Sequence, residues 1–160
     1  MSETLPPLPP LTARTHIVTA RDVVMGAAAS RDWQPQHHDM GYAQEMKLPD
    51  IIMNAPTQTG WFHAYAMDWA KGWGGPGAQI VRWRLKMRRP ICPGAEVTFS
   101  GAVTRHETGI HGVNWVWLDL RSDSGNESLS NMVILLSKPH ICGKMSPYYS
   151  ALSSDLPPLD

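Results

Sequence analysis

The segment Asp32 to Asp39, which reads DWQPQHHD, brings two acidic side chains and two imidazoles together. A carboxylate beside an imidazole can take up and return a proton near neutral pH. On a continuous helix the spacing of Asp32 and His37 would point the two side chains roughly 140° apart. Pro35 lies between them and disfavours a helical residue before it. The segment is therefore predicted to be a loop that can bend both side chains toward one point.

The same residues allow other interpretations of this segment. A polar surface loop in which Asp32 or Asp39 caps a helix is an open alternative. A metal site formed by His37, His38 and Asp39 is disfavoured, because neighbouring side chains on an extended chain point in opposite directions and no second cluster supplies further ligands. A serine hydrolase is disfavoured because the sequence has no GxSxG turn for a nucleophile.

Composition limits the classes of protein to which the chain can belong. Its 160 residues suffice for one domain with a sizeable core. The 14 basic and 14 acidic residues cancel, which argues against a non-specific nucleic-acid binder or a membrane-surface protein. There is no apolar run of membrane-spanning length, no signal-peptide pattern and no cysteine pair with metal-ligand spacing. We therefore expect a cytoplasmic protein with no nucleic-acid or membrane partner.

The elements that must position the pair follow from the apolar periodicity. Before residue 73 we predict a short strand at 16–20, helices at 21–30 and 40–47, and a long helix that opens at Pro56. Asp39 is the predicted N-cap of the second helix. In the long helix Trp61, Tyr65 and Trp69 recur at i, i+4 and i+8, which predicts a broad apolar face.

After the long helix the apolar period changes to two, which is typical of strands. Four strands are predicted in succession, at 80–87, 97–103, 113–121 and 129–137. The turns between them are short, so we predict an antiparallel meander. In the first strand, Val81, Trp83, Leu85 and Met87 fall on one face. The opposite, basic face is predicted to be solvated, with phosphate binding as an alternative: Arg82, Arg84, Lys86 and Arg88.

The simplest packing covers the apolar stripe of the long helix with one face of the sheet. The predicted fold class is therefore α+β, with an antiparallel sheet wrapped around one long central helix. We assign one domain to residues 15–140, a Pro-rich N-terminal tail to 1–14 and a C-terminal tail to 141–160. Trp115 and Trp117 fall on the face opposite the core, and part of that face is expected to meet another subunit. The open sheet edges also predict a dimer.

The order of three motifs resembles the MaoC-like hydratases, the family that includes the (R)-specific enoyl-CoA hydratases. The family signature is Asp, an aromatic residue, Asn or a similar residue, Pro, any residue and His, which Asp32 to His37 match, and Asp39 matches a further acid. Residues 52–55 fall at the family's loop before the central helix. Residues 90–104 resemble its Pro-x-x-Pro-Gly-Asp motif at the start of a strand. The segments 31–39 and 68–70, with Asn54, are most similar to the small MaoC-like subunits of bacterial steroid side-chain degradation.

The resemblance implies a hot-dog fold and the reversible hydration of a trans-2-enoyl-CoA to a 3-hydroxyacyl-CoA. It implies a catalytic pair of Asp32 and His37 and a backbone N–H of Ala55 that binds the thioester oxygen. It also implies a substrate pocket to which four residues contribute: Asn54, Pro56, Trp33 and Asp39. Neither a metal nor a resident cofactor is implied, since CoA arrives as part of the acyl-CoA substrate. The implied partner is a second hot-dog chain, identical or different.

The chain departs from the family pattern at one point. Most of the hydratases have His-Gly where this chain has Asn54-Ala55. A backbone N–H survives the change to Ala, but a positive φ at this position would strain Ala55 by roughly 1 kcal/mol. Two alternative functions share the fold, an acyl-CoA thioesterase and a non-catalytic subunit of a heteromeric hydratase. The sequence leaves open the acyl group, for which the small residues 26–29 leave room, and the division of acid and base roles.

Overall fold

A computed structural model describes residues 7–73, 77–109, 113–139 and 157–159. The helices are α1 (Ala20–Ala29), α2 (Met40–Glu45) and α3 (Ala55–Gly72), with a 3-10 helix at Pro35–His37. The strands are β1 (Arg14–Ile17), β2 (Gln79–Met87), β3 (Glu96–Thr108), β4 (Val113–Ser124) and β5 (Glu127–Pro139). All the predicted elements are present, although β1 begins and ends earlier than predicted and β3 ends later. Within the described ranges, no helix combines the length and hydropathy needed to cross a membrane.

The five strands form one antiparallel sheet in the order β1-β3-β4-β5-β2, so that β1 and β2 are its edges. The predicted meander is confirmed for β3, β4 and β5. It is wrong for β2, which pairs with β5 rather than with β3. The link 88–95 is too long for a tight hairpin between β2 and β3, and its residues make contacts in other parts of the fold. Ile91 within it is buried in the core, and the Gly94 N–H donates to the Val18 carbonyl oxygen at 2.8 Å.

A register shift in β2 moves one predicted core residue to the other face. The pairing with β5 skips Val81, which is the extra residue of a bulge. Val81 therefore packs on the outer face of the sheet, while Leu85 packs against the main core. The prediction that Val81 and Leu85 share a face is wrong, because strict alternation assumes an unbroken ladder.

Helix α3 packs its apolar side against the inner face of the sheet. The main core combines residues of α3 with residues of β4 and β5 that include Phe62, Tyr65, Ala66, Trp69, Val116, Leu118, Leu120, Ile134 and Leu136. The predicted packing of one long helix on one sheet face is confirmed. The N-terminal residues lie along the same helix, since Trp69 Nε1 donates to the Pro9 carbonyl oxygen at 2.9 Å.

The outer face of the sheet carries a second apolar cluster of Trp115, Trp117 and Leu135, which are 6%, 3% and 0% exposed. Residues 157–159, here called the C-terminal strap, lie against this cluster. Trp117 Nε1 donates to the Pro158 carbonyl oxygen at 3.0 Å, and Leu159 packs on the cluster. The face expected to meet another subunit is thus covered at this point by the chain itself.

Candidate active site

The end of α1 fixes the backbone of Asp32. The Arg31 N–H donates to the Ala28 carbonyl oxygen at 3.1 Å, and the Asp32 N–H donates to the Ala27 carbonyl oxygen at 2.9 Å. With Arg31 in the left-handed region at φ 56°, these bonds form a Schellman C-cap. Asp32 therefore leaves the helix in a defined direction, and it is not a helix N-cap.

His37 ends the 3-10 helix that Pro35 begins. Its Nδ1 lies 2.7 Å from the Ile52 carbonyl oxygen, which can only accept, so Nδ1 carries a proton. Its Nε2 faces Asp32 and lies 3.4 Å from Oδ2. The two side chains are 6% and 18% exposed, so the pair is sheltered but reachable. The structure thus brings the predicted pair together, and the short 3-10 turn supplies the bend.

Asn54 holds the Asp32 carboxylate from the start of α3. Its Nδ2 donates to Asp32 Oδ2 at 3.0 Å and to Ser30 Oγ at 2.8 Å. Its Oδ1 accepts from the backbone N–H and the hydroxyl of Thr57, which makes Asn54 the N-cap of α3. The hydrogen bond from Asn54 lowers the pKa of Asp32 below its usual value, against the opposing effect of burial. Gln34 and His37 add smaller effects in the same direction.

Ala55 is the first residue of α3, so its N–H is among those that a helix leaves without an intrahelical acceptor. Among the described residues other than glycine, a positive φ occurs only at Arg31 and Lys47. The strain considered for Ala55 is therefore absent. The positive end of the helix dipole also favours negative charge at this terminus.

An apolar cleft of about 610 Å³ opens beside Ala55, between the first turns of α3 and strand β2. Its walls are Ala55, Pro56, Thr59, Gly60, Trp83, Leu85 and Met87. Trp83 and Met87 are 46% and 52% exposed on their strand. The cleft offers room for an apolar group next to the N–H of Ala55.

Only some of the other predicted pocket residues line the cleft. Pro56 lines the cleft, whereas Asn54, Trp33 and Asp39 lie outside its lining. Trp33 is 62% exposed, with its ring edge-on to that of His38. Asp39 Oδ1 accepts from the Tyr42 N–H at 3.1 Å, and Asp39 is the N-cap of α2 as predicted.

Two contributors to the site were missed by the sequence analysis. Ser30 accepts a hydrogen bond from Asn54, and the backbone carbonyl of Ile52 fixes the proton on His37. A backbone carbonyl has no side-chain signature, and Ser30 is a common residue type at a helix end. None of the small residues 26–29 lines the cleft. Gly26 serves packing instead, because a Cβ on it would overlap the Thr57 side chain. Across the described residues, no three His, Cys, Asp or Glu side chains are grouped to hold a metal.

Residues 3–114 match the family described as MaoC like domain. The chain is 39% identical over 88 residues to the 3-oxo-4,17-pregnadiene-20-carboxyl-CoA hydratase beta subunit of Mycobacterium tuberculosis. That alignment covers 55% of this chain and 65% of the relative, so the chain spans less than two thirds of the relative's length.

Solved structures show the same fold. The ChsH1-ChsH2 complex from Mycobacterium tuberculosis matches with a TM-score of 0.72 and 29% identity, over 80% of this chain and 94% of that chain. The (R)-hydratase from A. caviae involved in PHA biosynthesis matches with a TM-score of 0.68 and 20% identity, over 80% of this chain and 93% of that chain. These likenesses confirm the predicted hot-dog fold.

Proposed function

Because the chain belongs to the MaoC-like domain family, we propose that it hydrates the double bond of a trans-2-enoyl-CoA to give a 3-hydroxyacyl-CoA. The observation that carries the proposal is the 3.4 Å approach of Asp32 Oδ2 to His37 Nε2. Each group is held from its far side, the carboxylate by Asn54 and the imidazole by the Ile52 carbonyl. The first N–H groups of α3 follow Asn54 directly along the chain.

The proposed reaction needs a base, because water is a poor nucleophile. The water oxygen bonds to Cβ of the enoyl group while one of its protons passes to the Asp32–His37 pair. The π electrons move toward the thioester carbonyl, and the pair returns a proton to Cα. The Ala55 N–H donates to the thioester oxygen as charge develops there, and such a donor is worth about 3 kcal/mol. CoA stays bonded to the acyl group throughout, so the proposal uses no resident cofactor.

The hydrogen bonds determine the charge of Asp32 and the tautomer of His37 before the reaction begins. The lowered pKa keeps Asp32 a carboxylate near neutral pH. The proton on His37 Nδ1 leaves Nε2 as the ring nitrogen that faces Asp32. Both groups can accept a proton from one water, so the acid and base roles are assigned to the pair as a unit.

The acyl group is proposed to be bulky and apolar and to occupy the cleft beside Ala55. The apolar lining and the volume of about 610 Å³ support this. The name of the relative with 39% identity, a hydratase of a pregnadiene carboxyl-CoA, supports it as well. A second hot-dog chain is proposed as the partner, because that relative is named a beta subunit and a similar solved structure is the ChsH1-ChsH2 complex.

A panel of trans-2-enoyl-CoA substrates, from short to bulky acyl groups, tests the function. The purified chain is mixed with each, and the enoyl-thioester absorbance is followed together with free thiol. We expect the absorbance to fall without release of thiol. Release of thiol would instead identify an acyl-CoA thioesterase. No change in either signal would point to the missing second hot-dog chain, and the panel is then repeated with that chain present.

Substitution of either member of the pair should remove the activity. Asp32→Asn and His37→Ala are each expected to lower turnover by about 10²- to 10⁴-fold, because each removes a proton acceptor. His38→Ala is the matched control, since this neighbouring imidazole contacts the Trp33 carbonyl oxygen instead, at 3.3 Å. It should turn over at the wild-type rate. Near-normal turnover in either pair variant, with the fold checked by circular dichroism, would refute the assignment.

A further inference from the structure

Asn54 is a buried amide whose hydrogen-bonding positions are all used. The residue is 2% exposed. Its two N–H positions donate to Ser30 Oγ and Asp32 Oδ2. Its oxygen accepts from the backbone N–H and the hydroxyl of Thr57. Because a primary amide offers two donors and two acceptor lone pairs, the set is complete.

The same network fixes which way the amide points. If the amide were turned over, its oxygen would face the Asp32 carboxylate with no proton between the two acceptors. Its nitrogen would then face the Thr57 N–H, with no acceptor between two donors. Only one orientation satisfies every partner, so Asp32 meets an N–H donor at a defined position.

The partners of Asn54 come from two helices. Ser30 is the C-cap residue of α1, and Thr57 lies in the first turn of α3. The Ser30 hydroxyl in turn donates to the Gly26 carbonyl oxygen at 2.8 Å. Asn54 therefore connects the Asp32 carboxylate to the end of one helix and to the start of another.

We propose that Asn54 is a positioning residue for the hydration, which holds Asp32 Oδ2 at 3.0 Å from its own Nδ2 and thereby sets the orientation and charge of the carboxylate. This inference rests on the proposed function of the pair. The titratable group that faces Asp32 is His37, and the donor on its other oxygen is the neutral Gln34 amide at 3.1 Å. The amide of Asn54 is thus the donor on the oxygen that faces the imidazole.

Asn54→Ser separates this positioning from helix capping. Serine is about as good an N-cap as asparagine, so α3 keeps its cap, but the amide donor to Asp32 is lost. Asn54→Asp also keeps a cap and keeps the shape, but it puts an oxygen where the donor was. Both changes disfavour the carboxylate, so the pKa of Asp32 must rise.

The readouts are the ¹³C NMR titration of the Asp32 carboxyl carbon and the pH dependence of kcat/KM. In Asn54→Ser we expect both the carboxyl titration and the acid limb to move to higher pH. We also expect kcat to fall by about 10- to 100-fold, the loss that a misplaced group produces. Asn54→Asp should move both in the same direction and further. Thr19→Ala removes the N-cap of α1 instead, and it should lower stability without moving the Asp32 titration.

An Asp32 carboxyl titration that is unchanged in both Asn54 variants would overturn the inference. A purely structural role for Asn54 predicts that result, because both variants keep a capped helix. The carboxyl titration needs no turnover. A wild-type chain that hydrates no enoyl-CoA, alone or with a second hot-dog chain, would therefore refute the proposed function, while the titration still decides whether Asn54 sets the state of Asp32.

Discussion

Arg31 occupies a backbone conformation that usually belongs to glycine. Its φ of 56° lies in the left-handed region, where a residue with a Cβ bears a cost of roughly 1–2 kcal/mol. The strained residue lies at the position where the two C-cap hydrogen bonds of α1 direct Asp32 toward His37. Strain of this kind is often found beside functional residues.

Arg31→Gly is expected to raise the free energy of unfolding by up to about 1 kcal/mol, because glycine adopts this φ freely. Arg31→Val should lower it by at least as much, since a β-branched residue fits this region poorly. Urea unfolding measures both changes. Lys47→Gly, at the other positive φ of 59°, is the matched control and should also stabilise. A destabilised Arg31→Gly variant would contradict the account of the C-cap.

At the level of single residues, the sequence predicted that Asp32 and His37 can meet, because Pro35 lies between them, and the structure brings the two side chains to 3.4 Å. Ala55 was implied by the family resemblance. The sequence could not identify the work of Asn54. The bond from Asn54 to Asp32 joins residues 22 apart along the chain, and it depends on how α1 and α3 meet. The spacing of residues along the sequence does not show how two helices pack against each other.

Among the elements, α1 and α3 are in close contact where Gly26 faces Thr57. A Cβ on Gly26 would overlap the Thr57 side chain, whose N–H and hydroxyl both donate to Asn54. The close approach therefore places the end of α1, which carries Asp32, against the start of α3.

Gly26→Ala is expected to destabilise the chain by about 1–3 kcal/mol, because the added methyl group forces the helices apart. Turnover should fall as well, since the Thr57 bonds to Asn54 are displaced. Gly60→Ala is the matched control for stability. It lies inside α3 with no atom within 4 Å of the added Cβ, and it should stabilise by up to about 1 kcal/mol. Thermal unfolding of the two variants tests this, and equal effects of the same sign would refute it.

The periodicity predicted the helices and strands but not the neighbours of every strand. A period of two shows which residues of a strand share a face, but it does not show which strand is the neighbour in the sheet. The order of β3, β4 and β5 follows from their short turns, whereas the place of β2 depends on the link 88–95. The bulge at Val81 likewise has no signal in an alternating pattern.

For the whole molecule, the C-terminal strap covers the apolar cluster on the outer face. Arg82 donates to the Pro157 carbonyl oxygen at 3.1 Å, and Trp117 donates to that of Pro158. The apolar pattern of β4 correctly predicted that the outer face carries large apolar residues. It could not say what lies on them, because a pattern of one strand does not specify its cover.

Removal of residues 157–160 is expected to expose Trp115 and Trp117 to water. Tryptophan fluorescence should shift to the red, and the chain should associate at lower concentration, because large exposed apolar patches favour association. Fluorescence and analytical ultracentrifugation measure the two effects. Leu159→Ser keeps both bonded carbonyls and removes only the apolar contact, so its effect should be intermediate. Unchanged emission after the deletion would show that the strap does not shield the tryptophans.

The unequal edges of the sheet limit how many neighbours one chain can add. Strand β1 has 4 residues, whereas β2 has 9 and pairs, within the described ranges, with β5 alone. A long strand with one unpaired side can accept one further strand, so through this edge the chain has a valency of one. Where the β2 edges of two chains pair with each other, the association closes at two chains and does not propagate into a filament.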